Sequence, residues 1–125
     1  MNDPCVHIGS EKDLKEILRT RNKVIALFYA SWCPFCVRFL PIFRKRAVLD
    51  GQYFAIVQDD GDTLGNPYSV EILPTLIFFE NGAVSKRLDG ISGIGLNETQ
   101  FEDFVKSCPV PLKRLASTKA LTIRG

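Results

Sequence analysis

The stretch KVIALFYASWCPFCVRFLP, Lys23 to Pro41, decides the fold. It opens on six consecutive apolar residues, Val24 to Tyr29. A strand is apolar at every position when both of its faces are covered, as in the middle of a sheet with helices on either side. Cys33 and Cys36 follow where that strand must end. Pro34 suits the first turn of a helix, because it has no N–H to leave unpaired and its φ is preset. Val37, Leu40, Phe43, Ala47 and Val48 then repeat at helical spacing to about Leu49, and Pro41, inside the run, is expected to kink it.

Working outward, Ser10 with Asp13 reads as a helix N-cap, and Leu14, Ile17 and Leu18 share one face of the helix that follows. A short strand around Val6–Ile8 can precede it. On the C-terminal side QYFAIVQ reads as a second buried strand. DDGDTLGNPYSV is rich in turn residues and has room for one short helix. TLIFF, Asn81-Gly82 and AVSKRL form a hairpin, since Asn-Gly suits a type I′ turn. Asn97 can cap a last helix with Gln100 at the capping-box position, and Phe101, Phe104, Val105 and Cys108 share its inner face. Alternating strands and helices followed by a hairpin predict an α/β domain, a mixed sheet with helices on both faces.

The chain has 125 residues, enough for one domain, and 46 % of them are hydrophobic, enough for a packed core. No run of 18 apolar residues exists to span a membrane. The polar N-terminus, MNDPCVHIGSEKD, has neither the basic start nor the apolar stretch of a secretion signal, so a cytoplasmic location is expected. A net charge of +2 is too small to argue for nucleic acid. The charge is uneven, however: residues 1–108 carry −2, and residues 109–125 carry four basic residues and no acid. That basic stretch, opened by Pro109 and Pro111, has three readings. It is a solvated extension, an arm packed on this domain or on a second copy, or a contact for nucleic acid or an anionic surface.

Two cysteines at this spacing bind metal, pack as buried thiols or exchange disulfides. A zinc site needs four ligands, and Cys5, His7 and Cys108 are scattered at the chain ends, so no metal is expected. His7 reads as a surface or strand residue. Cys108 lies on an apolar helix face and reads as a core thiol, and Cys5 is expected to take no part in the pairing. The strand–helix junction favours redox chemistry. The first turn of a helix offers unpaired N–H groups and a partial positive charge, which stabilise a thiolate, the attacking form of cysteine. Helical geometry brings Cys36 beneath Cys33, close enough for a disulfide. Cys33 is then the exposed attacker, and Cys36, one turn in, resolves the mixed disulfide.

ALFYASWCPFCVRFLPIF, VEILPTLIFFENGAV and the glycine at position 90 together resemble the thioredoxin family over residues 10 to 108. The resemblance implies the thioredoxin fold for residues 1–108, with 109–125 as an extension. It implies Cys33 and Cys36 as the catalytic pair, supported by Trp32, Pro34, Phe35 and Pro74. Pro74 is implied to be cis and to face the cysteines. Trp32, Leu73, Pro74, Gly90 and Ile91 are implied to touch substrate. The activity implied is reduction of protein disulfides by a monomer with no bound cofactor, recharged by an electron donor of the thioredoxin-reductase type.

Three features depart from that family. The buried aspartate usual six residues before the first cysteine is Leu27 here, and the lysine usual on the next strand aligns with Ala55. The assisted deprotonation of Cys36 is therefore in doubt, and Glu71 and Asp59 are the polar residues nearest in sequence. The dipeptide between the cysteines, Pro34-Phe35, resembles glutaredoxins, which keeps a glutathione-dependent reductase as an alternative. A third reading is a binding module of the same fold whose cysteines do not turn over. GISGIG, residues 90–95, follows a hairpin rather than opening a helix, so it reads as a flexible loop beside the site, not as a phosphate cradle.

Overall fold

The computed structural model describes residues 5–50, 53–61 and 63–110. The expectations for the extension concern residues 109–125, of which 111–125 lie outside the described residues. The elements in chain order are β1 (Val6–Ile8), α1 (Glu11–Thr20), β2 (Lys23–Tyr29), α2 (Pro34–Asp50), β3 (Phe54–Gln58), a 3-10 turn (Asn66–Tyr68), β4 (Thr75–Glu80), β5 (Ala83–Asp89) and α3 (Glu98–Ser107). The sheet order is β1-β3-β2-β4-β5. β1, β3 and β2 run parallel, and β4 and β5 are antiparallel additions to the β2 edge.

β2 is central, and the alternation of its side chains divides the core in two. Ile25, Leu27 and Tyr29 point to one face, where they join Cys36, Phe39, Phe43 and Ala47 of α2 and Phe101, Phe104 and Val105 of α3. Val24, Ala26 and Phe28 point to the other, against Leu14 and Leu18 of α1. This is why β2 is apolar at six successive positions. The α2 face is largely aromatic: the Phe101 ring meets Phe39 edge-on at 5.3 Å and lies 5.5 Å from Phe43. Arg46 on α2 also pairs with Glu102 on α3.

Local chemistry sets the element ends. The Ser10 hydroxyl accepts the Asp13 N–H at 3.2 Å and starts α1. Asn97 and Gln100 form the reciprocal capping box of α3, at 2.8 and 2.9 Å. Asn81 and Gly82 both take positive φ, 53° and 83°, as a type I′ hairpin requires. α2 runs through Pro41 to Asp50.

One expectation about the core changes. Val37 and Val48 share helical spacing with Phe43 and Ala47 but are 51 % and 68 % exposed. The α2 stripe that meets the sheet is instead Cys36, Phe39, Phe43 and Ala47, and the two valines lie to its outer side. Cys5, close to the chain end, is buried in the cluster beneath α2, because β1 extends the sheet beyond β3 and carries this end inward. Cys108 is buried as expected, but as the C-cap of α3 rather than within it; its thiol donates to the Phe104 carbonyl at 3.3 Å.

Candidate active site around Cys33 and Cys36

The cysteines lie where β2 gives way to α2. The Cys33 N–H donates to the Ala30 carbonyl at 3.2 Å, and the Cys33 carbonyl accepts the Val37 N–H at 3.0 Å, so Cys33 closes the turn and opens the helix. The Cys36 N–H donates to Cys33 Sγ at 3.3 Å. One of the free first-turn amides foreseen from the helix start thus points at the first sulfur. Both residues are thiols in this structure, with no disulfide between them.

Cys33 is not the exposed residue expected. It is 6 % exposed, against 0 % for Cys36. The covering comes from the loop before β4, where the Leu73–Pro74 peptide bond is cis, as the resemblance implied. The Leu73 carbonyl stands 3.8 Å from Cys33 Sγ and accepts its S–H. Gly90, directly after β5, lies against the same proline: a Cβ at Gly90 would sit 2.4 Å from the Pro74 carbonyl oxygen. Cys33, Leu73, Pro74 and Gly90 are therefore brought together from three separate parts of the chain.

Trp32 is 62 % exposed and fixed by its indole N–H, which donates to the Asp60 carbonyl at 3.0 Å. The Asp60 carboxylate also accepts from the Ser31 N–H at 2.7 Å, the Ser31 hydroxyl at 2.8 Å and the Gln58 amide at 2.9 Å. These hydrogen bonds, the Ser31 N–H first, hold its carboxyl below the usual carboxylate range. Asp60 thus ties the end of β3 to the turn that presents Cys33. Sequence reasoning missed it, having read DDGD only as turn residues; two acids directly after a buried strand next to the cysteine strand were the available signal.

Pro34 opens α2 and is exposed. Phe35 is half-buried, with the Arg38 guanidinium 5.2 Å from its ring centre. Within GISGIG, Ile91 and Gly95 exchange backbone hydrogen bonds at 3.1 and 2.7 Å and close a turn. Gly95 lies against Phe35, where an added Cβ would come within 3.0 Å of the Phe35 Cβ. Ile91 and Ile94 are exposed on that turn, and Ile94 was not foreseen as part of the rim.

Beneath the rim the surroundings are apolar. Leu27 and Ile56 pair across β2 and β3 and share the cluster with Cys36. The neighbour of Leu27 is thus Ile56, not Ala55; Ala55 pairs with Ala26 and faces α1, since one residue of register turns a side chain to the opposite face. Asp59 is buried, but its carboxylate accepts the backbone N–H groups of Thr63, Leu64 and Gly65 at 2.8 to 3.0 Å, which fixes the loop after β3. Glu71 is exposed. Burial, followed by the hydrogen bond to Cys33, pushes the Cys36 thiol up to about 12. Among the described residues no helix is long and apolar enough to cross a membrane.

The chain is similar to known proteins. The thioredoxin family model matches residues 6–107. A thioredoxin of Mycoplasma genitalium is 38 % identical over 85 residues, covering 66 % of this chain and 83 % of that protein. Protein disulfide-isomerase A5 of Bos taurus is 36 % identical over 83 residues, covering 62 % of this chain; the chain spans only 16 % of that longer protein. A mutant thioredoxin from Halobacterium salinarum superposes with a TM-score of 0.70 at 23 % identity, over 89 % of this chain and 98 % of that one, which speaks to the fold. A dithiol at the strand–helix junction and a family match over nearly the whole described chain agree: the protein belongs to the thioredoxin family of thiol–disulfide oxidoreductases.

Proposed function

We propose that the chain reduces protein disulfides through a Cys33/Cys36 dithiol cycle. The observation that carries this reading is the Cys36 N–H at 3.3 Å from Cys33 Sγ, with the Leu73 carbonyl on the other side of that sulfur. Cys33, as thiolate, attacks a substrate sulfur and forms a mixed disulfide. Cys36 attacks Cys33 Sγ, closes the intramolecular disulfide and releases the reduced substrate. Trp32, Pro34, Phe35 and Pro74 support the pair. Trp32, Leu73, Pro74, Gly90 and Ile91 receive the substrate, with the Leu73 backbone available to an extended segment. A donor of the thioredoxin-reductase type restores the dithiol, in a reducing compartment such as the cytoplasm. Chemistry and fold belong to residues 1–108 acting as a monomer, and the basic stretch 109–125 lies outside them.

Reduction of insulin by dithiothreitol tests the reading. Turbidity should rise faster with the protein than without it, and a rate equal to the blank would leave a binding module of this fold. Supplying electrons through a thioredoxin reductase, and separately through glutathione with its reductase, separates the protein-disulfide reading from the glutaredoxin-like one that Pro34-Phe35 suggested. Activity with glutathione alone would reverse the assignment.

A further inference from the structure

We propose that the thiolate released from the substrate takes the proton of Cys36, so that the substrate's own leaving group is the base of the second step. This rests on the roles proposed above for the two cysteines.

Cys36 is wholly buried, and the strands beneath it present Leu27 and Ile56. β4 adds Leu76 and Phe78, and α3 adds Phe101, Phe104 and Val105. The titratable groups of this cluster are Cys33, Cys5, Cys108 and Tyr29. The Cys108 thiol donates to the Phe104 carbonyl, and the Tyr29 hydroxyl donates to Gln58 Oε1 at 3.1 Å. Arg46 of α2 and Glu102 of α3 are joined to each other, and Asp59 is held by three amides of its own loop. Among the described residues Asp59 is the one buried carboxylate. Burial also raises the cost of ionising Cys36 and keeps bulk base away from it.

The first step itself supplies a base. Cys33 thiolate attacks one sulfur of the substrate disulfide, the substrate S–S bond breaks, and its electron pair leaves on the second sulfur as a thiolate. That thiolate accepts the Cys36 proton and becomes a thiol. Cys36 thiolate then attacks Cys33 Sγ, the mixed disulfide breaks, and the first substrate sulfur leaves as a thiolate. Two electrons pass from the dithiol to the substrate, and no further oxidant or reductant is needed. Where the substrate disulfide closes a loop, the released sulfur stays tethered beside Cys33 at a local concentration on the order of millimolar, which bulk base at neutral pH does not match. The preferred substrate class is therefore a protein with a loop-closing disulfide whose released thiol is strongly basic.

The test is a single-turnover experiment on the full reduced chain with peptide disulfides that close a loop. The peptides are alike around the sulfur that Cys33 attacks. The sulfur released is flanked by acidic, neutral or basic residues, so that its thiol pKa is set in steps. The covalent adduct is followed by acid quench and mass spectrometry. Its decay should quicken roughly threefold per unit rise in the released thiol's pKa, a Brønsted slope of about one half. Its formation should slow along the same series, because a more basic thiolate leaves less readily. Leu27→Asp, which sets a carboxylate in the cluster, should shorten the adduct's life and flatten the dependence; should that variant not fold, the wild-type series decides alone. Adduct decay independent of the released thiol overturns the proposal. Cys36→Ser tests the underlying reading in parallel: an adduct that persists on Cys33 upholds the assigned roles, and its failure to form overturns them along with the proposal.

Discussion

Cys33 and Cys36 are three residues apart on one helix, yet they belong to different surroundings. Cys33 sits within a rim of backbone carbonyls, amides and an anchored tryptophan, assembled by Asp60, Leu73 and Gly90. Cys36 sits on a floor of aromatic and aliphatic side chains that also holds the domain together. The difference separates two properties that a shared CxxC would seem to merge. Damage to the rim should cost chemistry first, whereas damage to the floor should cost stability first.

The strongest way to break the comparison is at the sulfurs. Cys33→Ser should abolish insulin reduction, and Cys36→Ser should leave a protein that captures substrate as a stable mixed disulfide. Trapping by Cys33→Ser with an inert Cys36→Ser would reverse the roles. Iodoacetamide at neutral pH should label Cys33 well before Cys36, which is wholly buried and held in its thiol form.

On the floor, Phe101 contacts three other rings, so Phe101→Ala should destabilise by about 3–5 kcal/mol, read as a lower midpoint in urea. A much smaller loss would mean that α3 does not brace α2 as the ring contacts indicate. On the rim, Gly90→Ala pushes a methyl into the Pro74 carbonyl oxygen and should cost ~1–3 kcal/mol, with a larger loss in substrate capture than a floor variant of equal stability shows. Asp60→Ala releases Ser31 from its carboxylate bonds. Insulin reduction should fall by on the order of tenfold, a fraction of the hundredfold that a 1 Å misplacement can cost, while the melting temperature stays near that of the wild type. Melting and activity falling together would remove the distinction between rim and floor.

The smallest effect is absent at neutral pH. Burial raises the Cys36 thiol to about 12 and the Cys108 thiol to about 11, both from 9.0. The folded chain therefore keeps these protons where the unfolded chain loses them. Their contribution to stability is full below pH 9 and is lost as pH rises toward 11 and 12. Under reducing conditions Cys108→Ala should flatten the part of that decline between pH 9 and 11, measured by chemical denaturation at each pH. A decline identical to the wild type's would place Cys108 in a less buried environment.

Much of this was legible in the sequence, and for local reasons. Continuous apolar runs marked the doubly covered strands, Asn81-Gly82 marked the hairpin, Asn97 with Gln100 marked the start of α3, and Pro34 after Cys33 marked the strand–helix junction. Each is chemistry within a few residues. Asp60 was not legible, because its partners Ser31 and Trp32 lie nearly thirty residues upstream and only the pairing of β2 with β3 brings them together. The neighbour of Leu27 was misread by one position for a related cause: strand register is a relation between two segments, and one step turns Ala55 away and brings Ile56 in.

The sequence by itself determined an α/β fold with a dithiol at the start of its second helix, since periodicity, caps and turn residues act locally. Only the tertiary structure decided that the dithiol has a polar side and an apolar side. Cys33 is covered by a loop forty residues away, and Cys36 rests on strands whose inward faces depend on register. Burial and hydrogen bonding at these sulfurs are sums over neighbours distant along the chain, and those neighbours exist only once the sheet has formed.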